Sequence, residues 1–157
     1  MLISIETEYT IFHELRGVSP STTVLELKQR MERKSGAKAA QQVLWFERIK
    51  LKDEKTIDYY GLRDGMELYM IYNYLQTGIM TILAKTETKT YNLAVQHTDT
   101  VLDLKGRIYR VSSIPVEVMT LFYREIELEN NKPLLAYFIC DGSMIRIAGD
   151  QNVTDHD

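Results

Sequence analysis

The sequence predicts an α+β protein made of two consecutive domains of one kind. Two observations carry this. Thr23-Val24-Leu25-Glu26-Leu27-Lys28 returns as Thr100-Val101-Leu102-Asp103-Leu104-Lys105, an offset of 77 residues. The same offset then relates Leu44 to Leu121, Trp45 to Phe122, Ile49 to Ile126, Leu51 to Leu128, Tyr60 to Tyr137, Asp64 to Asp141 and Leu68 to Ile145. A period of that length is too long for a stacked repeat and suits a small whole domain. Within each copy, strand-like alternation leads into one helix and then into further short strands.

In the first copy, Met1, Ile3 and Ile5 alternate as one face of a strand. A return strand follows from Ile11 to Leu15, where Ile11/Leu15 and Phe12 compete for the inner face. Residues 16–22 form a loop with Gly17 and Pro20. Thr23 to Glu26 is a capping box, in which the hydroxyl accepts an orphan backbone N–H and the carboxylate reaches back. Val24, Leu27 and Met31 form one helical stripe, and Ser35-Gly36 ends it, because glycine takes the left-handed turn without a Cβ clash. Val43 to Phe46 is a strand, Ile49 to Leu51 a short one, Thr56 to Tyr60 a helical turn and Glu67 to Tyr72 the last strand.

The second copy repeats the plan. Met80–Leu83 and Tyr91–Val95 form a hairpin around Thr86-Glu87-Thr88-Lys89, and Thr100 to Asp103 is a weaker capping box. A helix runs from Val101 to about Val111. Thr120–Tyr123, Glu127-Leu128 and Met144–Ala148 are strands. This places domains at 1–72 and 79–149, joined by a short linker at 73–78 and followed by an acidic, disordered tail at 150–157.

Composition narrows the function. The chain is 45% hydrophobic and 26% charged, which is ordinary for a globular protein with small cores. Residues 1–77 carry 11 basic and 11 acidic side chains and residues 78–157 carry 8 and 11. Neither half has a basic stripe, so nucleic acid is not an expected partner. No apolar run reaches membrane-spanning length, and no signal peptide is visible before the first strand, so none is expected. The single cysteine, Cys140, fits a reducing, cytoplasmic or nuclear setting and reads as a half-buried, inert thiol. His13, His97 and His156 lie far apart and lack metal-ligand spacing, and no phosphate-cradling loop is present. No enzyme, cofactor, metal or small-molecule substrate is expected.

The order hairpin, helix, strand, short strand, turn, strand carries further residues with it. These are Pro20-Ser-x-Thr-Val24, Gln41-Gln42-x-Leu44, Leu51-x-Asp53, Thr56-Ile57-x-x-Tyr60-Gly61-Leu62 and Leu68-x-Met70. The second copy adds Met80-Thr-Ile82, Lys85-Thr86, Asp99-Thr100-Val101, Ile114-Pro115 and Tyr137. Together they resemble the ubiquitin-like superfamily, over residues 1–72 and 80–148, and the tandem resembles in architecture the interferon-induced two-domain modifiers. The resemblance implies two β-grasp domains, each a twisted mixed sheet packed on one helix. It implies a buried Lys28 paired with Asp53, with Lys105 facing Asn130 beside Glu129 in the second domain. Covalent members of the family close an extended tail with Gly-Gly, and no Gly-Gly occurs in these 157 residues. The expectation is therefore a chain that is not conjugated. A covalent modifier with an atypical or processed C-terminus is the alternative, and a purely structural module is a third reading.

The family's binding face maps onto Glu8, Trp45, Tyr69 and Ile71 in the first domain, and onto Glu87, Phe122, Arg146 and Ala148 in the second. Strand alternation supports this independently. If Leu44, Phe46, Leu68 and Met70 point inward, Trp45, Tyr69 and Ile71 point outward. Glu8 and Glu87 stand where the family has leucine. An outward tryptophan beside tyrosine and isoleucine makes an apolar patch suited to a protein partner, in the ubiquitin–proteasome or a related pathway. Three readings of Trp45 remain at this level: an anchor for an external partner, a residue buried between the domains, or a partly covered surface aromatic. Leu25 and Leu102 recur at an outer helix position, which suggests flanking packing or docking.

Overall fold

The computed structural model describes residues 1–74 and 78–149. The chain divides into two compact units, Met1–Leu75 and Gln76–Asp157. The expected linker lies partly, and the expected tail wholly, outside the described residues.

The first unit holds β1 (Ile3–Glu6), β2 (Phe12–Leu15), α1 (Val24–Ser35), β3 (Gln42–Phe46), β4 (Ile49–Lys50), a 3₁₀ turn (Asp58–Tyr60) and β5 (Met66–Tyr72). The second repeats it with β6 (Ile79–Lys85), β7 (Thr90–Gln96), α2 (Val101–Ser112), β8 (Met119–Tyr123), β9 (Ile126–Glu127), a 3₁₀ turn (Leu134–Tyr137) and β10 (Met144–Gly149). The sheet orders are β2-β1-β5-β3-β4 and β7-β6-β10-β8-β9. In each sheet the first and last strands run parallel side by side, and the other neighbours are antiparallel. Both units are thus β-grasp folds.

Local chemistry forms the helices. The Thr23 hydroxyl accepts from the Glu26 N–H at 3.1 Å, and the Glu26 carboxylate accepts from the Thr23 N–H at 3.3 Å. The second box, expected to be weaker, is fully formed: the Asp103 N–H donates to the Thr100 hydroxyl at 3.1 Å and the Thr100 N–H to the Asp103 carboxylate at 3.0 Å. The stripes Val24/Leu27/Met31 and Val101/Leu104/Ile108 are fully buried against their sheets. Gly36 ends α1 at φ 87°, in the left-handed region; Ser113 takes the same place after α2 at φ 64°.

The hairpins resolve what the sequence left open. Ile11, His13 and Leu15 face the core and Phe12 faces out, 52% exposed. A histidine therefore holds an inward position, at 3% exposure. The 77-residue offset also changes here. Ala84 takes the place of Ile5 beside the last strand, an offset of 79, and Tyr91 that of His13, an offset of 78. The second hairpin loop is one residue shorter, and Glu87 is the counterpart of Glu8.

Each helix carries one buried lysine. Lys28 Nζ lies 2.6 Å from Asp53 Oδ1, with 9% of the lysine side chain exposed. Lys105 is equally buried but has no ion pair among the described residues. Glu129, expected beside it, pairs with Lys132 at 2.9 Å instead. Burial lowers the Lys105 pKa, and Glu127 opposes that only in part. Cys140 is exposed rather than half-buried. It opens the turn into β10, where its N–H donates to Ser143 Oγ at 2.9 Å, so it does not belong to the strand pleat.

Candidate protein-docking face

The site residues of the first domain come from strands far apart in sequence, and the sheet lines them up. Phe12 pairs with Glu6, Glu6 with Tyr69, Tyr69 with Trp45, and Trp45 with Lys50. Because paired residues share a face, these five side chains form one row across the outer surface. Val43 and Ile71 pair in the adjoining row. Phe12, Tyr69 and Ile71 are 52%, 38% and 41% exposed. Trp45 is half-buried, and its indole N–H is enclosed without an acceptor among the described residues. Trp45 therefore presents ring surface outward rather than a free hydrogen-bond donor.

Glu8 is held at one corner of this face. Its carboxylate accepts from the Tyr72 N–H at 3.2 Å. The Tyr72 hydroxyl donates to Gln41 Oε1 at 2.7 Å and accepts from the Lys38 N–H at 2.9 Å, and the Tyr74 ring meets Tyr72 edge-on at 4.9 Å. Burial, then the charges of Glu8 and Glu6, raises the Tyr69 hydroxyl above its ordinary pKa. Both carboxylates thus act on the face that Tyr69 occupies.

The second domain builds the equivalent row with different chemistry: Thr90, Lys85, Arg146, Phe122 and Glu127. Arg146 lies over the Phe122 ring, 4.3 Å from its centroid. Beside it, Lys85, Glu87, Met144 and Ala148 help line an open depression of about 610 Å³. The sheet therefore brings Phe122, Arg146, Ala148 and Glu87 to one region, with the guanidinium lying over the aromatic ring.

Reading the sequence alone missed Glu6, Phe12 and Lys50 in the first row, and Thr90, Lys85 and Glu127 in the second. Alternation from Ile3 and Ile5 places Glu6 outward, so that signal was available. The neighbourhood of Glu6 and Tyr69 was not, because it depends on parallel pairing across more than 60 residues. Leu25 and Leu102 are 40% and 49% exposed on their helices, away from either row. His13 lies in the first core and His97 is half-buried in the second unit, while His156 lies outside the described residues. Among the described residues no three His, Cys, Asp or Glu side chains could hold a metal ion, and no helix is long and apolar enough to cross a membrane.

The sequence profile of the Ubiquitin family matches residues 7–73 and again 81–152. Proteins of this family are typically non-enzymatic, and their domains generally mediate protein interactions. The two matches cover one β-grasp unit each, so the chain belongs to the ubiquitin family as a tandem of two ubiquitin-like domains.

Proposed function

We propose that this chain is a non-enzymatic, noncovalent protein-binding adaptor of the ubiquitin–proteasome or a related signalling pathway, working in the cytoplasm or nucleus. The outer face of the first domain, with Trp45, Tyr69, Ile71 and Glu8, makes the principal contact. The second face, with Phe122, Arg146 and Ala148, adds a further one. The observation that carries this reading is the outward aromatic row of exposed Phe12 and Tyr69 and half-buried Trp45, on three strands of a sheet whose other face is packed on α1. Exposed rings on a rigid surface supply contact area at little entropic cost.

Trp45→Ala is the test. Truncating a half-buried ring on the outer face costs the fold about 1 kcal/mol, against roughly 2–5 kcal/mol for a fully buried leucine such as Leu44. The melting temperature should fall by less than about 8 °C, while partner capture from the native source is lost. A fall well beyond that, of the size expected for a fully buried side chain, would make Trp45 a core residue and end this reading. A denaturing immunoblot separates it from covalent modification, which would appear as a ladder of heavier, denaturant-resistant adducts.

A further inference from the structure

Resting on the reading of the first domain's face as a docking surface, we propose that its partner is a cationic amphipathic helix, an apolar stripe flanked by Lys or Arg, and that the second domain's face does not share this partner.

Charge carries the proposal. In the aromatic row Glu6 stands between Phe12 and Tyr69. The next row is Glu14, Ser4 and Glu67, and Glu8 lies at the corner against the Tyr72 N–H. Glu14 is paired with Arg16 at 3.1 Å, whereas Glu6, Glu8 and Glu67 have no ion-pair partner among the described residues. Lys50, at the far end of the row, is its one cation. Unneutralised carboxylates around exposed rings favour a partner bringing positive charge together with apolar surface, and disfavour an acidic one.

Glu87 keeps the acid of Glu8, but the other equivalent positions of the second domain reverse the pattern. Lys85 replaces Glu6, Arg146 replaces Tyr69, and Glu127 replaces Lys50; Leu83, Asn92 and Met144 replace Ser4, Glu14 and Glu67. A segment matched to the first face meets two cations on the second. The faces therefore divide their partners by charge, so the tandem does not act by binding one ligand twice.

The geometry selects a helix. β1, β5 and β3 are interior strands whose backbone groups are engaged on both sides, and only the edge strands β2 and β4 have an open side, so the middle of this face, with Glu6, Tyr69 and Trp45, offers side chains rather than a ladder to an added strand. From Phe12 to Trp45 the row crosses three strand spacings, about 14 Å, which is the rise of roughly ten helical residues. A stripe at i, i+3/i+4 and i+7 spans most of that length.

The experiment uses the full chain and two synthetic 18-residue helical peptides with one shared leucine stripe, flanked by arginine in one and glutamate in the other. Calorimetric titration should give the arginine peptide at least about tenfold tighter binding, weakening with salt. Glu8→Lys/Glu67→Lys should abolish the preference, the conservative Glu6→Gln/Glu67→Gln should reduce it, and the off-face control Glu54→Lys/Asp58→Lys should leave it intact. Equal binding of both peptides, lost in Trp45→Ala, overturns the charge inference and leaves the docking face standing. Loss of the preference in the off-face control overturns it too, as bulk attraction. Binding indifferent to Trp45→Ala, or no binding of either peptide at millimolar concentration, overturns both.

Discussion

Acidification should destabilise the first domain through a single buried histidine. His13 is 3% exposed on the inner face of β2. Burial, helped by the nearby Lys34 ammonium, lowers its pKa from 6.5 to about 4. The folded value lies below the unfolded one, so the neutral ring is the form the fold favours. The stabilising difference is complete above pH 6.5 and is lost as pH falls from 6.5 towards 4. A shift of this size is worth about 3 kcal/mol once the ring is fully charged, and about 2 kcal/mol at pH 5. Against the 5–15 kcal/mol typical of a domain, that is a large fraction. The chain has one tryptophan, Trp45, and it lies in the first domain, so urea unfolding followed by its fluorescence reads this unit alone. Carboxylates also titrate near pH 5, and the comparison with His13→Gln cancels them. The wild-type chain should lose about 2 kcal/mol more than the variant between pH 7.5 and pH 5. Equal losses in the two proteins would refute the reasoning.

The two buried lysines should respond oppositely to loss of charge. Asp53→Ala strands the Lys28 ammonium and should cost the first domain about 1–2 kcal/mol by the same fluorescence assay, a cost reduced because Asp53 is half exposed. Lys105→Met removes a buried cation that has no ion pair among the described residues, and should leave the second domain as stable or more so near neutrality. The wild-type second domain should gain stability as pH rises towards 10.5, since burial lowers the Lys105 pKa; hydrogen exchange of α2 amides measures both effects. Ser113→Gly should stabilise the second domain by about 0.5–1 kcal/mol, because Ser113 holds a left-handed conformation that glycine adopts at Gly36 without strain. No gain in the same exchange measurement would mean that the serine is unstrained there.

Sequence alone determined the tandem repeat, the β-grasp order, the capping boxes, the core stripes and the Lys28–Asp53 pair. The repeat, the element order, the boxes and the stripes rest on local spacing or on a motif written twice, whereas the β-grasp fold and the Lys28–Asp53 pair were implied by the resemblance to the ubiquitin-like superfamily. Alternation also set the outward direction of Trp45, Tyr69 and Ile71. Tertiary structure decided the rest. It turned His13 inward and Phe12 outward, because a four-residue strand carrying a histidine at an inward position gives no clear hydrophobic phase. It shifted the second hairpin by one and two residues against the repeat. It placed Glu129 on Lys132 instead of Lys105. It also joined Phe12, Glu6, Tyr69, Trp45 and Lys50 into one row, and opposite charges into the matching row of the second domain. Alternation along a strand is a property of neighbours in the chain, whereas a row across a sheet is set by the register of strands separated by the whole domain.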